Sequence, residues 1–192
     1  MKIALSILGE HPWVSNFYAY KQADRLLAGY ALLDADERRR YPLVMAGGDW
    51  EGPRAACQEQ ARVAGIADDV KFLGWVGDEW LAPLYRHALA HCLPSREETF
   101  GRTVIEAMAC GTPVIVNDIP IMHEVTEGHA LIVDFKQAEQ VAQALKNVAK
   151  DAALRAKLRE GGLARAQRFT FEKFTSERID AIERLVSARR SG

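Results

Sequence analysis

The chain has 192 residues, of which 48% are hydrophobic and 27% are charged, and its formal net charge is −1 at pH 7. This length and composition are typical of one globular domain that buries a core of its own. The near-zero charge argues against broad binding to nucleic acid or to an acidic membrane, since both need a surplus of Lys and Arg on one face.

Short apolar runs alternate with longer stretches of helical periodicity along the chain. The predicted strands span residues 3–8, 13–15, 43–46, 70–73, 90–93, 113–116 and 131–133. The predicted helices span residues 18–34, 53–64, 78–88, 102–110, 137–149, 151–167 and 171–189. The strands are rich in Val, Leu and Ile and mostly lack polar alternation, as expected of strands that are covered on both faces.

Strands separated by helix-length segments predict right-handed βαβ units. The expected fold is therefore α/β, with a Rossmann-like, doubly wound parallel sheet whose ligand lies beyond the carboxyl ends of the strands. We find no repeat or flexible linker in residues 1–192, which predicts a single domain. The apolar stripe of the last helices either packs on the sheet or awaits a second domain.

The cysteines and the apolar runs indicate where the protein resides. Cys57, Cys92 and Cys110 are widely spaced and contain no CxxC pair, which disfavours a disulfide framework and indicates a reducing compartment. No apolar run approaches the roughly 18 residues of a membrane span, and residues 3–8 are too short for a secretory signal. We expect a cytoplasmic protein that meets a membrane at most through a partner.

The most informative segment is residues 95–114, with the sequence SREETFGRTVIEAMACGTPV. A strand ends just before this segment, a loop carries two carboxylates and a glycine, and a helix begins near Gly101. The first N–H groups of a helix lack partners and its dipole is positive at that end, so a phosphate or diphosphate binds there favourably. Gly101 allows the backbone to approach such a ligand closely.

Two glutamates flank this helix start. Glu98 lies on the loop, and Glu106 lies within the helix about one turn beyond its start, where a carboxylate can accept two hydrogen bonds from a vicinal diol such as ribose. Each glutamate alone also fits a plain structural role, Glu98 as a helix-capping acid and Glu106 as a solvated helical residue. Their combination with Phe100 and Gly101 in a strand–loop–helix setting favours a binding site.

The spacing of Glu98 and Glu106, with the following Ala-Met-Ala-Cys-Gly-Thr-Pro-Val, resembles the paired-glutamate signature of the retaining GT-B glycosyltransferases (group 1, GT4-like). This family includes bacterial mannosyl- and glucosyltransferases, sucrose synthase and many polysaccharide-assembly enzymes. The resemblance covers nearly the whole chain from about residue 12, through segments 15–22, 70–76, 84–88, 93–95 and 130–134. It implies the C-terminal, nucleotide-sugar-binding half of a GT-B fold, and it is specific for the family but weakly specific for the substrate.

The resemblance also implies roles for individual residues. The catalytic candidates are Glu98, which would contact hydroxyls of the transferred sugar, and Lys21, which would neutralise the leaving diphosphate. Glu106 would bind the ribose. The other donor-binding candidates are the backbones of Thr99, Phe100 and Gly101 at sugar and phosphate, the backbone of Val76 at the base, and Gly48, Asn16 and Arg102.

Three of these candidates have an alternative interpretation or depart from the family pattern. Gly48, with Gly47, fits a plain tight turn equally well. Asn16 stands where the family usually has Arg, and a neutral amide cannot offset the charge of a departing diphosphate, which leaves that work to Lys21 with help from Arg102. Lys21 also fits a solvated position on the polar side of helix 18–34.

Other chemistries fit the sequence less well. His87, His91 and Cys92 are close in sequence, but the helix is expected to end between the two histidines, so a shared metal site is disfavoured. Cys110 near a helix end is expected to be a buried structural thiol. No Walker lysine loop and no GxGxxG turn is present, which argues against P-loop and dinucleotide redox chemistry.

The family resemblance implies transfer of a hexose from an NDP-sugar, either GDP-mannose or a UDP-sugar, to a glycan or lipid-linked acceptor with retention at the anomeric carbon. No metal or other cofactor is expected, because Lys21 and the helix dipole take the place of a cation. The acceptor-binding N-terminal domain is expected to be absent from residues 1–192. The chain is then expected either to be a fragment of a longer enzyme or to pair with a separate acceptor-binding subunit. A non-catalytic donor-binding or regulatory module is the main alternative, and a related sugar-nucleotide epimerase is a weaker one.

Overall fold

A single six-stranded sheet forms the centre of the protein. The structure, a computed structural model, describes residues 3–7, 19–48 and 53–170, together with residues 173, 175, 179 and 184. The sheet has the order β3-β2-β1-β4-β5-β6, and each neighbouring pair is parallel. The strands are β1 Ile3–Ile7, β2 Leu43–Ala46, β3 Val70–Gly74, β4 Ala88–Leu93, β5 Val114–Asn117 and β6 Leu131–Val133. The predicted α/β doubly wound sheet is confirmed.

Helices cover both faces of this sheet. The described α-helices are α1 Ala23–Ala31, α2 Ala35–Arg40, α3 Pro53–Val63, α4 Asp78–His87, α5 Arg102–Ala109, α6 Pro120–Thr126, α7 Ala138–Lys150 and α8 Ala152–Ala166. Three 3-10 turns, Ala19–Lys21, Ala67–Asp69 and Gln167–Phe169, lie beside them. The predicted helices 53–64, 78–88, 102–110, 137–149 and 151–167 match α3, α4, α5, α7 and α8 to within about a residue at each end.

The strands explain why the sequence lacks polar alternation. All four residues of β2 are buried, and they divide between two apolar cores. Leu43 and Met45 pack into a core that includes buried residues of α1, α3 and α7, whereas Val44 and Ala46 pack into a core that includes α4, α5 and α6. A strand with helices on both faces has no solvent side on which polar residues would be favourable.

The predicted helix 18–34 is wrong in its first part. Residues 19–21 form a 3-10 turn, and Gln22 has a left-handed backbone with φ of 49° before α1 begins at Ala23. A second helix, α2, follows after Asp34 and was missed because its residues carry no apolar stripe. Asp34 and Glu37 nevertheless form a capping box, a signal that is present in the sequence.

Helix α6 was also missed, because it is only seven residues long and starts with Pro120. Proline at the first position of a helix lacks only an N–H that would be unpaired anyway, so it is compatible with this start. The predicted strand 13–15 lies outside the described residues. Of the predicted helix 171–189, the structure describes only residues 173, 175, 179 and 184, all helical.

Candidate functional site

The strand order creates a switch point between β1 and β4. From β1 the chain builds the sheet outwards through β2 and β3, and then it returns to the other side of β1 with β4, β5 and β6. A switch point of this kind creates a crevice at the carboxyl edge of a parallel sheet, where ligands bind in open α/β folds. Lys21 belongs to the segment after β1, and Glu98 belongs to the loop after β4.

Helix α5 begins directly behind this crevice. Gly101 precedes its first residue with φ of 83°, a left-handed conformation in which a side chain would be strained. A Cβ atom at this position would also lie 2.6 Å from Met122 Cε. At the other end, Gly111 with φ of 72° closes the helix, and Thr112 N–H donates to the Ala107 carbonyl at 2.9 Å, as in a Schellman motif.

Lys21 and Glu98 meet at the crevice. The Lys21 Nζ donates to Glu98 Oε1 at 2.6 Å, and the two side chains are only 8% and 10% exposed. The ammonium also lies 5.1 Å from the centre of the Tyr20 ring. The alternative placement of Lys21 on the solvated side of a helix is therefore wrong, because the 3-10 turn directs its side chain inward. The structure brings together both catalytic candidates, although they are 77 residues apart in the sequence.

The carboxylate of Glu106 is held by two neighbours. Its Oε2 accepts a hydrogen bond from the hydroxyl of Tyr85 at 3.1 Å, and its Oε1 accepts one from Arg102 Nε at 2.9 Å. Tyr85 is 1% exposed and lies on α4, so it fixes one oxygen of Glu106 from a neighbouring helix. Arg102 is about half exposed, and it forms an ion pair with Glu106 within α5.

The remaining donor-binding candidates lie at the same edge of the sheet. Phe100, Arg102 and Glu106 line a cleft of about 730 Å³ between α5 and the end of α8. Phe100 contacts Phe169 across this cleft, with ring centres 5.4 Å apart. Thr99 is exposed on the loop just before Phe100.

Val76 lines a different cleft of about 440 Å³ beside β3, together with the exposed Trp75 and Trp80. Among the described residues, the two clefts have no lining residue in common. Gly48 lies two residues beyond β2 at the same edge, next to Gly47, whose N–H donates to the Gly74 carbonyl at 2.8 Å. Asn16 lies outside the described residues.

The histidines and cysteines have structural surroundings. His87 is exposed at the end of α4, whereas His91 is fully buried in β4 with its ring edge against Tyr85. Burial raises the pKa of the Cys92 thiol to about 12, and burial is also the main cause of the raised pKa of Cys110. In the part of the chain that the structure describes, no group of three or more His, Cys, Asp or Glu side chains is arranged to hold a metal ion.

A membrane-spanning helix, which would need at least 18 mostly apolar residues, does not occur in the described ranges 3–7, 19–48 and 53–170.

Three residues that sequence reasoning missed support the site. Tyr85 orients Glu106, Met122 packs against Gly101, and Asn117 bonds to the start of the loop that carries Glu98. Tyr85 and Met122 are apolar enough to be predicted only as core residues. Asn117 does carry a signal, since it is a polar residue at the end of a strand predicted to be buried.

Comparisons with known proteins identify the family and the fold. Residues 12–165 match the family described as glycosyl transferases group 1. The O-antigen chain mannosyltransferase B of Escherichia coli is 30% identical over 185 residues, which cover 96% of this chain and 48% of the relative. The sucrose-phosphate synthase of Thermosynechococcus elongatus has a TM-score of 0.82 and 26% identity, over 97% of this chain and 46% of that protein.

Anabaena HepE in complex with UDP-glucose is similar in fold, with a TM-score of 0.81 and 20% identity over 95% of this chain and 49% of that protein. These neighbours confirm the prediction that the fold is the Rossmann-like C-terminal half of a GT-B enzyme. The chain spans about half the length of the mannosyltransferase, the synthase and HepE.

Proposed function

Because the chain belongs to the family of glycosyl transferases group 1, we propose that it is the donor-binding domain of a retaining hexosyltransferase that uses an NDP-sugar. The observation that carries this proposal is the buried contact of Lys21 with Glu98 beside the amino end of α5. One cation, one carboxylate and a set of helix N–H groups converge there, which suits a ligand with a diphosphate next to sugar hydroxyls.

In the proposed complex the donor replaces the ion pair. The diphosphate binds to the Lys21 ammonium and to the N–H groups at the start of α5, and the hydroxyls of the sugar donate to the carboxylate of Glu98. Both side chains are about nine-tenths buried, so their interactions with the donor are screened less than they would be at the surface. Glu106, oriented by Tyr85, accepts hydrogen bonds from the ribose.

The proposed reaction exchanges one bond at the anomeric carbon. The bond from that carbon to the β-phosphate oxygen breaks, a bond to the acceptor oxygen forms on the same face, and the acceptor proton passes to the leaving phosphate. The departing diphosphate gains negative charge, which Lys21 and the α5 dipole stabilise without the need for a metal ion. Catalysis in this scheme consists of positioning and charge stabilisation.

Two donor classes are compatible with the relatives. The Escherichia coli relative is named a mannosyltransferase, which favours GDP-mannose, and the structure of HepE contains UDP-glucose, which favours a UDP-sugar. The matched relatives are about twice as long as this chain. The proposal therefore assigns binding of the glycan or lipid-linked acceptor to a second domain or subunit.

Calorimetry with UDP, UDP-glucose, GDP and GDP-mannose tests the proposal. We expect one nucleotide and the corresponding nucleotide-sugar to bind. Glu106→Gln should lower the affinity for that nucleotide about tenfold, because a charged hydrogen bond is lost. Glu160→Gln, at an exposed position on α8, serves as the control. If none of the four ligands binds the wild type, the proposal is wrong.

A transfer assay on the same sample separates the enzyme from its alternative, a donor-binding or regulatory module. Turnover by the chain alone would identify an enzyme that needs no partner. The other outcome is that the chain alone binds the donor without turnover and gains turnover once an acceptor-binding domain is added. That result would identify a module that acts only with a partner subunit.

A further inference from the structure

Asn117 connects two loops at the carboxyl edge of the sheet. It is the last residue of β5, and it is 8% exposed. Its Nδ2 donates to the Ser95 carbonyl at 3.1 Å, and its Oδ1 accepts from the Phe135 N–H at 3.1 Å. One amide side chain thus joins the segment after β4 to the segment after β6, and it satisfies a carbonyl and an N–H that are removed from water.

The Ser95 carbonyl lies at the start of the loop that carries Glu98. The next residue, Arg96, donates its N–H to the Tyr20 carbonyl at 2.7 Å, and Tyr20 precedes Lys21. The loop is therefore fixed on one side by the segment that contains Lys21 and on the other side by Asn117. At its far end, Gly101 packs against Met122.

We propose that Asn117 is a positioning residue for Glu98, and that it determines how well the site distinguishes a nucleotide-sugar from the nucleotide alone. This inference rests on the proposed function, because Glu98 is the residue assigned to the sugar. The proposed function assigns the nucleotide and its diphosphate to Glu106, Lys21 and the start of α5. The two hydrogen bonds of Asn117 described above involve none of these groups. A shift of the loop at Ser95 moves Glu98 and leaves Glu106 in place.

The substitution Asn117→Asp tests this role because it keeps the size of the side chain. The carboxylate still accepts from the Phe135 N–H, but it has no N–H to donate to the Ser95 carbonyl, and two oxygen atoms would then face each other. We expect the ratio of the NDP-sugar affinity to the affinity for the matching NDP to fall about tenfold. The ligands are UDP with UDP-glucose, or GDP with GDP-mannose, whichever pair the wild type binds.

The matched control is Asn147→Asp, which makes the same chemical change at an exposed position on α7. Its two affinities should equal those of the wild type. A residue that only stabilised the fold would weaken both ligands together, so an unchanged ratio of the two affinities in Asn117→Asp would overturn the inference while leaving the proposed function intact. If Asn117→Asp does not fold, Asn117→Ser is measured in the same way.

A second measurement does not depend on any ligand. Amide hydrogen exchange of the protein without added ligand should become at least about fivefold faster in the first segment of the loop, at Arg96, whose N–H donates to the Tyr20 carbonyl. The reason is that Asn117→Asp removes the hydrogen bond that holds the backbone of the preceding residue, Ser95. Exchange at wild-type rates in that segment would show that Asn117 does not hold the loop. Failure of the wild type to bind any NDP-sugar would instead refute the proposed function, and with it the assignment of Glu98 to a sugar.

Discussion

Lys21 and Glu98 neutralise each other's charge at the crevice. Lys21 and Glu98 are 2.6 Å apart and almost buried, an arrangement that is favourable only while both partners are present. In the proposed function a donor separates them, and it offers a diphosphate to the cation and hydroxyl groups to the carboxylate in exchange. At the scale of single residues, the ion pair therefore opposes a bare nucleotide more than it opposes a nucleotide-sugar.

The substitution Glu98→Gln should affect these two ligands in opposite directions. Without the carboxylate, Lys21 is free for the diphosphate, so we expect calorimetry to show NDP binding about tenfold tighter. The NDP-sugar should lose most of its advantage over NDP because the amide is a weaker acceptor for sugar hydroxyls. Glu97→Gln, at the exposed neighbouring position, is the control; weaker binding of both ligands in Glu98→Gln would contradict the competition.

Gly101 allows a second comparison between two matched glycines. Gly101 and Gly65 both have a left-handed backbone, with φ of +83° and +68°, but only Gly101 stands at the start of α5. Gly101→Ala and Gly65→Ala should each lower the free energy of unfolding by about 1–2 kcal/mol in urea titrations. Only Gly101→Ala should weaken donor binding, because its methyl group pushes on Met122 and blocks close approach to the N–H groups.

At the scale of elements, α1, which begins two residues after Lys21, packs closely on α7. Gly29 on α1 lies against α7, and a Cβ atom there would be 2.5 Å from both Cβ and Cγ1 of Val141. Because Cβ of a β-branched residue is tied to its backbone, the two helices must separate to accept a methyl group.

Gly29→Ala should therefore destabilise the protein by about 1–3 kcal/mol, even though Ala is the better helix former. Urea unfolding measures this change, and the double substitution Gly29→Ala with Val141→Ala should cost less than the sum of the two single changes. Additive costs would mean that the helices do not meet at this pair.

At the scale of the whole molecule, the parallel sheet gathers the site from distant segments. Every strand ends at the same edge, so Lys21 from the connection after β1 meets Glu98 from the loop after β4 without any sequence proximity. Bound donor should then stabilise the protein as a unit. At a ligand concentration 100 times the Kd we expect about 2.7 kcal/mol of added stability, or a rise of about 5–10 °C in Tm by thermal shift; Glu106→Gln should reduce this rise at equal ligand concentration.

The pattern of apolar runs and helical periodicity was sufficient to predict the described strands, the main helices and a sheet covered on both faces. These features are local, because burial on two faces removes polar residues from a strand and packing on one face leaves a stripe on a helix. The loop with Glu98 and Gly101 and the helix with Glu106 were also predicted, since a strand end, a glycine and a helix start are recognised from neighbouring residues.

The tertiary structure alone decided which of these residues meet. Three hydrogen bonds join residues that are 77, 21 and 22 positions apart in the sequence. They link Lys21 with Glu98, Tyr85 with Glu106, and Asn117 with Ser95. Such contacts depend on the order of the strands and on the path of each connection, which local periodicity does not encode. The 3-10 turn that buries Lys21 and the short helix α6 followed from packing against the sheet, where tertiary contacts outweigh weak local preferences.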